Sequence, residues 1–149
     1  MILVRTYLAP SEIQGLGVYA GDFIPGGTQI WVLNPKFDIF VHDEEIRMLP
    51  AHMHDFVVRY SYPHLEIPGV RVVDCDDGKF MNHSERPNTD FRIFDKGYAI
   101  VDIRPGEEIT CNYFEFDLEF RGFGQESALE VAISAMQAGR FPQGAATRP

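Results

Sequence analysis

Apolar residues along this chain fall in short runs, and turn residues interrupt each run before it grows long. Ile2 to Leu8 is rich in β-branched and aromatic residues and predicts a strand. Ser11 to Gly17 is a turn-rich link, followed by a short strand, Val18-Tyr19-Ala20. Ile24-Pro25-Gly26-Gly27 turns the chain into an apolar strand from Gln29 to Leu33. The period then changes. Asp43 is placed to cap a helix carrying Ile46 and Leu49, and Met53, Phe56, Val57 and Tyr60 repeat at helical spacing. Pro50 divides this stretch in two. Val70 to Val73 reads as a strand ending in acidic turn residues. Thr89 to Phe94 and Tyr98 to Ile103 form the clearest hairpin, with Gly97 in the turn suited to positive φ. Ile103-Arg104-Pro105-Gly106 is a further turn. Ser127 to Glu130 resembles a capping box opening a helix that Gly139 closes, and the chain from Arg140 onward reads as a loose tail. The expected fold is mostly β, with short strands in small sheets, a broken helical insert and a C-terminal helix. A simple barrel or sandwich would give the same signals.

Composition narrows the class. The 149 residues fit one domain, and 45% hydrophobic content is enough for a core without a metal or disulfide staple. Ten Pro and 13 Gly agree with many turns. There is no apolar run of about 18 residues and no basic-then-apolar leader, so a soluble, non-secreted protein is expected. Cys75 and Cys111 are the only cysteines, too few for a four-cysteine zinc site, and they suggest a reducing compartment. The net charge of −9 and pI near 4.9 argue against a phosphate-binding surface. Such charge either attracts a basic partner or serves solubility alone. Acidic residues gather at Asp74-Cys75-Asp76-Asp77 and between Glu107 and Glu119.

Three segments carry chemistry. Gly15-Leu16-Gly17 lets backbone approach a ligand without Cβ interference, or is a plain tight turn. Phe80-Met81-Asn82-His83-Ser84-Glu85-Arg86-Pro87-Asn88 offers in Asn82 both a donor and an acceptor, suited to a zwitterion. The alternative is that Asn82 and His83 satisfy backbone groups in a buried turn. Gly106-Glu107-Glu108-Ile109-Thr110-Cys111-Asn112-Tyr113 ends in a tyrosine that is either catalytic or a core residue with its hydroxyl bonded. His52-Met53-His54-Asp55 invites a metal reading, but i, i+2 histidines project differently from a helix, so a helix face is the better reading.

In this order, the three segments resemble the SET-domain protein lysine methyltransferases. The resemblance runs from Ile2 to Phe120, with Pro35 to Pro68 matched in outline. It implies a SET-type fold of several small sheets with knot-like threading of the C-terminal segment. Residues 1–123 would be the catalytic domain, and 124–149 a C-terminal helix and tail. It implies S-adenosyl-L-methionine as methyl donor, held by the backbone of Gly15, Leu16 and Gly17 and by the Asn82 side chain. Backbone near His83 would meet the adenine, the His83 side chain being structural, and Phe116 is the candidate to stack on that ring. Tyr113 would stand beside the transferring methyl group and is the catalytic candidate. Tyr60, Cys111 and Phe114 would line the lysine channel, with Phe120 and Phe123 helping to close it.

Departures from the family also carry meaning. Glu85 stands where many relatives have a zinc-binding Cys, so no metal is expected. The small Cys111 stands where many have Tyr or Phe, which favours multiple methylation. Asn112 replaces a common Asp. The implied partner is a basic protein carrying lysine, such as a histone or ribosomal protein, with no nucleic acid and no membrane. A homodimer could complete the groove. The implied location is intracellular: cytoplasmic in a bacterium, or nuclear for a eukaryotic or viral protein. A SET-like module that binds basic tails without catalysis, or an unrelated β-rich interaction domain, are the rival readings.

Overall fold

Within residues 1–122 the chain forms ten short strands, two α-helices and two 3-10 turns. The structure is a computed structural model, and the described residues are 1–122, 131 and 133–135. Strands β1 (Thr6–Pro10) and β2 (Leu16–Ala20) form an antiparallel hairpin in which Tyr7 faces Tyr19 and Leu8 faces Val18. On its other edge β2 meets β10 (Glu108–Cys111) antiparallel, and β10 runs parallel to β7 (Asn82–His83). The sheet order is therefore β1-β2-β10-β7. A second sheet joins β3 (Gln29–Val32), β9 (Lys96–Ala99) and β8 (Thr89–Asp90) in that order. A third joins β4 (Ile39–His42), β6 (Val70–Val73) and β5 (Ser61–Pro63).

The main core lies between the first two sheets. It contains Val18, Ala20, Ile30, Trp31, Met81, Phe91, Ile103, Ile109 and Cys111, with Ile30, Ile103 and Ile109 almost wholly buried. Each such isoleucine contributes about 1.5–3 kcal/mol of burial. A smaller cluster of Ile46, Val57 and Ile133 seats the helical insert. Among the described residues no helix is long and apolar enough to cross a membrane.

The mostly β architecture and the helix broken at proline agree with the sequence pattern. Helices α1 (Asp43–Met48) and α2 (Ala51–Tyr60) flank Pro50, which serves as the N-cap of α2. Three details differ. The N-cap of α1 is His42 rather than Asp43. Glu45 reaches back to accept the His42 N–H at 2.9 Å, while Asp43 adds negative charge to the first turn, where the helix dipole favours it. Gly97 does not supply the positive φ of its hairpin; Asp95 does, at 65°. Gly97 lies inside β9, and a Cβ there would stand 2.6 Å from the Phe91 ring. Finally, the hairpin is shorter than its apolar pattern suggests, with pairing confined to Thr89↔Ala99 and Asp90↔Tyr98. Of the C-terminal helix, residues 131 and 133–135 are helical. The capping box at Ser127–Glu130, the closing Gly139, Phe123 and the tail from Arg140 lie outside the described residues.

Asp74, just past β6, ties the sheets together. It accepts from Trp31 Nε1 and from the Tyr62 hydroxyl, each at 3.2 Å. Burial raises its pKa to about 6. Asp38 and Asp76 push the same way, and the Met1 ammonium opposes them. A carboxyl whose folded pKa lies above its unfolded value of 3.8 favours folding while protonated. That contribution is full below the unfolded value and is lost as pH rises through about 6. Chemical denaturation of the wild type and Asp74→Asn between pH 4 and pH 7.5 should show the wild type losing on the order of 1–3 kcal/mol relative to the variant. Parallel pH profiles would contradict the assignment.

Candidate active site

The approach of the two longer motifs is made by strand pairing. The parallel register sets Thr110 against Asn82 and Cys111 against His83, and the Ser84 N–H extends it by donating to the Cys111 carbonyl at 2.9 Å. The Pro87-Asn88 turn clamps the same strand. Asn88 Nδ2 donates to the Glu108 carbonyl at 2.8 Å, and Asn88 Oδ1 accepts the Thr110 N–H at 2.9 Å. Thr89 Oγ1 donates to the Thr110 carbonyl at 2.7 Å. One strand, β10, is thus held by the motif around Asn82 on one side and by β2 on the other.

The early glycine segment joins through side chains. Gly15 has φ 53°, the left-handed region that glycine adopts freely. Asn82 is buried, and its Nδ2 donates to the carbonyls of Leu16 at 3.0 Å and Gln14 at 3.2 Å and to Glu108 Oε1 at 2.8 Å. The room left by the missing Cβ of Gly17 is filled by the Glu108 carboxylate, with which a Cβ there would collide.

Tyr113 opens a 3-10 turn, Tyr113–Glu115, directly after β10. Its N–H donates to His83 Nδ1 at 3.1 Å, and its hydroxyl donates to the Met81 carbonyl at 2.8 Å. Burial raises the Tyr113 pKa, so the phenol is neutral in the physiological range. His83 is lowered by burial, with Glu85 opposing. As an acceptor at Nδ1, it is a neutral imidazole that fixes the tyrosine backbone. Asn112, for which the sequence offered no rationale, caps this turn: its Oδ1 accepts the Phe114 N–H at 3.1 Å. An aspartate could do the same.

These groups open onto a cleft of about 900 Å³. Gly15, Leu16, Tyr60, Asn82, Cys111, Tyr113 and Phe116 all line it. Gly17, His83 and Phe114 do not. Phe114 is 56% exposed and packs on His83 and Phe120. Phe116 belongs to an aromatic wall, in ring contact with Tyr62 at 5.4 Å, Phe91 at 5.5 Å and Tyr113 at 5.8 Å. Tyr60 packs on Phe56 and Phe80 at the end of α2. Sequence reasoning missed Tyr62, Trp31 and Phe91 as parts of the wall. Tyr62 sits on β5, two residues past Tyr60, the aromatic that the resemblance singles out for the channel.

A buried guanidinium ties β5 to the segment after Tyr113. Arg71 donates to Ser61 Oγ at 2.8 Å, to the Ser61 carbonyl at 3.2 Å and to Glu119 at 2.7 Å. The cleft carries both signs of charge, Asp55, Asp95 and Glu119 alongside Arg59, Lys79 and Lys96, so the acidic balance of the chain is not concentrated in it. Among the described residues no group of three or more His, Cys, Asp or Glu could hold a metal ion.

Comparison with known proteins agrees with this geometry. The SET domain family matches residues 15–114. No curated protein matches the chain. Among solved structures, a Plasmodium falciparum protein described as a candidate histone methyltransferase is 20% identical, with a TM-score of 0.54 over 83% of this chain and all of its own. The polycomb repressive complex 2 of Chaetomium thermophilum is 26% identical, with a TM-score of 0.58 over 74% of this chain but 15% of its own. An autoinhibited form of that complex is 20% identical, with a TM-score of 0.61 over 91% of this chain and 17% of its own. The match across all three motifs, together with the shared fold, leads to one statement: the chain belongs to the SET-domain family.

Proposed function

We propose that this protein transfers a methyl group from S-adenosyl-L-methionine to the ε-amine of a lysine in a basic protein. The observation that carries the reading is the meeting of Asn82 and Tyr113, 31 residues apart in sequence, on one cleft through the β7–β10 pairing. The likeness to histone methyltransferases supports it.

The residues present suit such a ligand. Asn82 and the Gly15-Leu16 backbone form a polar end fitted to an amino-acid zwitterion, and the aromatic wall gives the cleft an apolar flank. When bound, S-adenosylmethionine supplies an electrophilic methyl group on a positive sulfonium.

The chain's own residues account for the rest. A lysine is protonated in water, with a pKa of about 10.4, and must release a proton to solvent before its free amine can attack. The apolar wall of Tyr62, Phe91 and Phe116 disfavours the ammonium form and lowers that pKa. Tyr113 does not take the proton, because burial holds its hydroxyl above the ordinary value. With its own proton committed to the Met81 carbonyl, the hydroxyl oxygen is an acceptor that orients the amine. Cys111 is buried and small, a neutral thiol with its pKa raised by burial, and it leaves space beside the amine. The acidic balance of the whole chain draws a basic substrate toward the surface.

Three outcomes test this reading. In a calorimetric titration with S-adenosylmethionine, the folded wild type should bind saturably, and Asn82→Ala should bind about tenfold or more weakly. Equal affinity would remove Asn82 from the site. Tyr113→Phe should lower turnover on a lysine-bearing basic protein by about 100-fold while the fold is kept. Unchanged turnover would contradict the orienting role. By mass spectrometry, Cys111→Tyr should shift products toward monomethyl-lysine. An unchanged product ratio would show that Cys111 does not set the space.

A further inference from the structure

Strands β8 and β10 lie close together but belong to different sheets, and side chains rather than strand pairing join them. Asn88 bonds the backbone of β10 at Glu108 and Thr110, and Thr89 Oγ1 bonds the Thr110 carbonyl. One further bond runs the other way. Glu115, in the turn that Tyr113 opens, reaches back and accepts the Phe91 N–H through Oε2 at 2.8 Å.

Phe91 follows directly on β8, whose pairing with β9 ends at Asp90↔Tyr98. The residue is buried, so its N–H depends on the carboxylate for an acceptor. Its ring meets Phe116 at 5.5 Å, and the Phe116 ring meets Tyr113 at 5.8 Å. All three rings line the cleft, whereas Glu115 does not. Phe91 and Tyr113 are therefore linked twice, once through the Phe116 ring and once through the Glu115 carboxylate. The two links differ in kind. Apolar contact is non-directional and lets rings slide, but a carboxylate bonded to a backbone N–H fixes both distance and direction.

We infer that Glu115 is a positioning residue. By holding the Phe91 backbone to the Tyr113 turn, it sets the width of the cleft between the aromatic wall and the tyrosine, and with it how many methyl groups one amine can take. This rests on the proposed methyl-transfer reading and deepens it: a residue outside the cleft governs the space inside.

The test uses the wild type, Glu115→Gln and Glu115→Met, each checked for an intact fold by thermal melting. Glutamine keeps an acceptor oxygen and removes the charge, whereas methionine keeps the bulk and removes the oxygen. Amide exchange is followed by NMR on the protein without ligand. In the wild type the Phe91 amide should exchange at least about tenfold more slowly than that of Ile93, an exposed residue two positions on. Glu115→Gln should keep that protection, and Glu115→Met should lose about tenfold of it. Methylation of a mixture of core histones and ribosomal proteins is then read by mass spectrometry at equal total methyl transfer. Glu115→Met should raise the ratio of trimethyl- to monomethyl-lysine by about threefold to tenfold, and Glu115→Gln should hold it within about twofold. Should methionine prevent folding, Glu115→Ala carries the same expectations. Fast Phe91 exchange in the wild type overturns the inference without any variant. So does a product ratio that Glu115→Met leaves unchanged, with the methyl-transfer reading intact. If Glu115→Gln behaves as Glu115→Met does, the carboxylate acts by its charge and the positioning role is overturned. A wild type that methylates none of these proteins overturns the methyl-transfer reading, and the inference falls with it.

Discussion

Two residue pairs in parallel register, Thr110 with Asn82 and Cys111 with His83, are the constraint on which the site depends. Parallel pairing cannot be closed by a tight turn; it needs a long connection. Here that connection is the stretch between β7 and β10, which contains β8 and β9 and contributes Phe91 to the core. The connection therefore does two things at once. It returns the chain in the right direction, and it supplies part of the cleft's aromatic wall. Because β10 also meets β2, the early glycine turn is drawn to the same place. Three segments that are separate in sequence are held around one strand four residues long.

Buried polar groups around that strand explain its precision. A buried donor or acceptor left without a partner costs about 1–3 kcal/mol, so each polar side chain near β10 restricts the others. Asn88 binds the backbone of β10 on both sides of Ile109, Thr89 binds the carbonyl of Thr110, and His83 binds the N–H of Tyr113. The tyrosine is thus fixed at its backbone by one motif residue and at its hydroxyl by the carbonyl of another, Met81. A catalytic group placed in this way need not be ordered at the moment of reaction. Arg71 acts similarly across the cleft, joining β5 to the turn that follows Tyr113.

What could be read from the residues, and what could not, divides along physical lines. The motif segments, each an ordinary run of turn and strand residues by itself, were legible because together and in this order they resemble the SET-domain family. Strand β6 was legible because three of its four residues are valine and acidic turn residues follow it, although the buried Arg71 interrupts the apolar run. Strands β4 and β5 were missed: β4 is partly exposed along its length, and β5 follows α2 without a break, so the helical spacing runs up to its edge. Gly97 was misread because a glycine next to a turn looks like turn chemistry, whereas here it makes room for the Phe91 ring. Gly17 is a parallel case, since its space belongs to Glu108. A missing Cβ has no local signature that says which side chain will fill it. Tyr62, Trp31 and Phe91 joined the cleft wall from three different strands or loops, and no spacing rule connects them.

The central claim is that the glycine turn, the Asn82 segment and Tyr113 form one ligand site. It is tested most directly by following backbone amide resonances of the labelled protein during titration with S-adenosylmethionine. The account predicts that Gly15, Asn82 and Tyr113 shift together and saturate with one dissociation constant, while exposed residues remote from the cleft, such as Phe23, stay fixed. Shifts confined to one segment, or saturation at different ligand concentrations for the three, would contradict it.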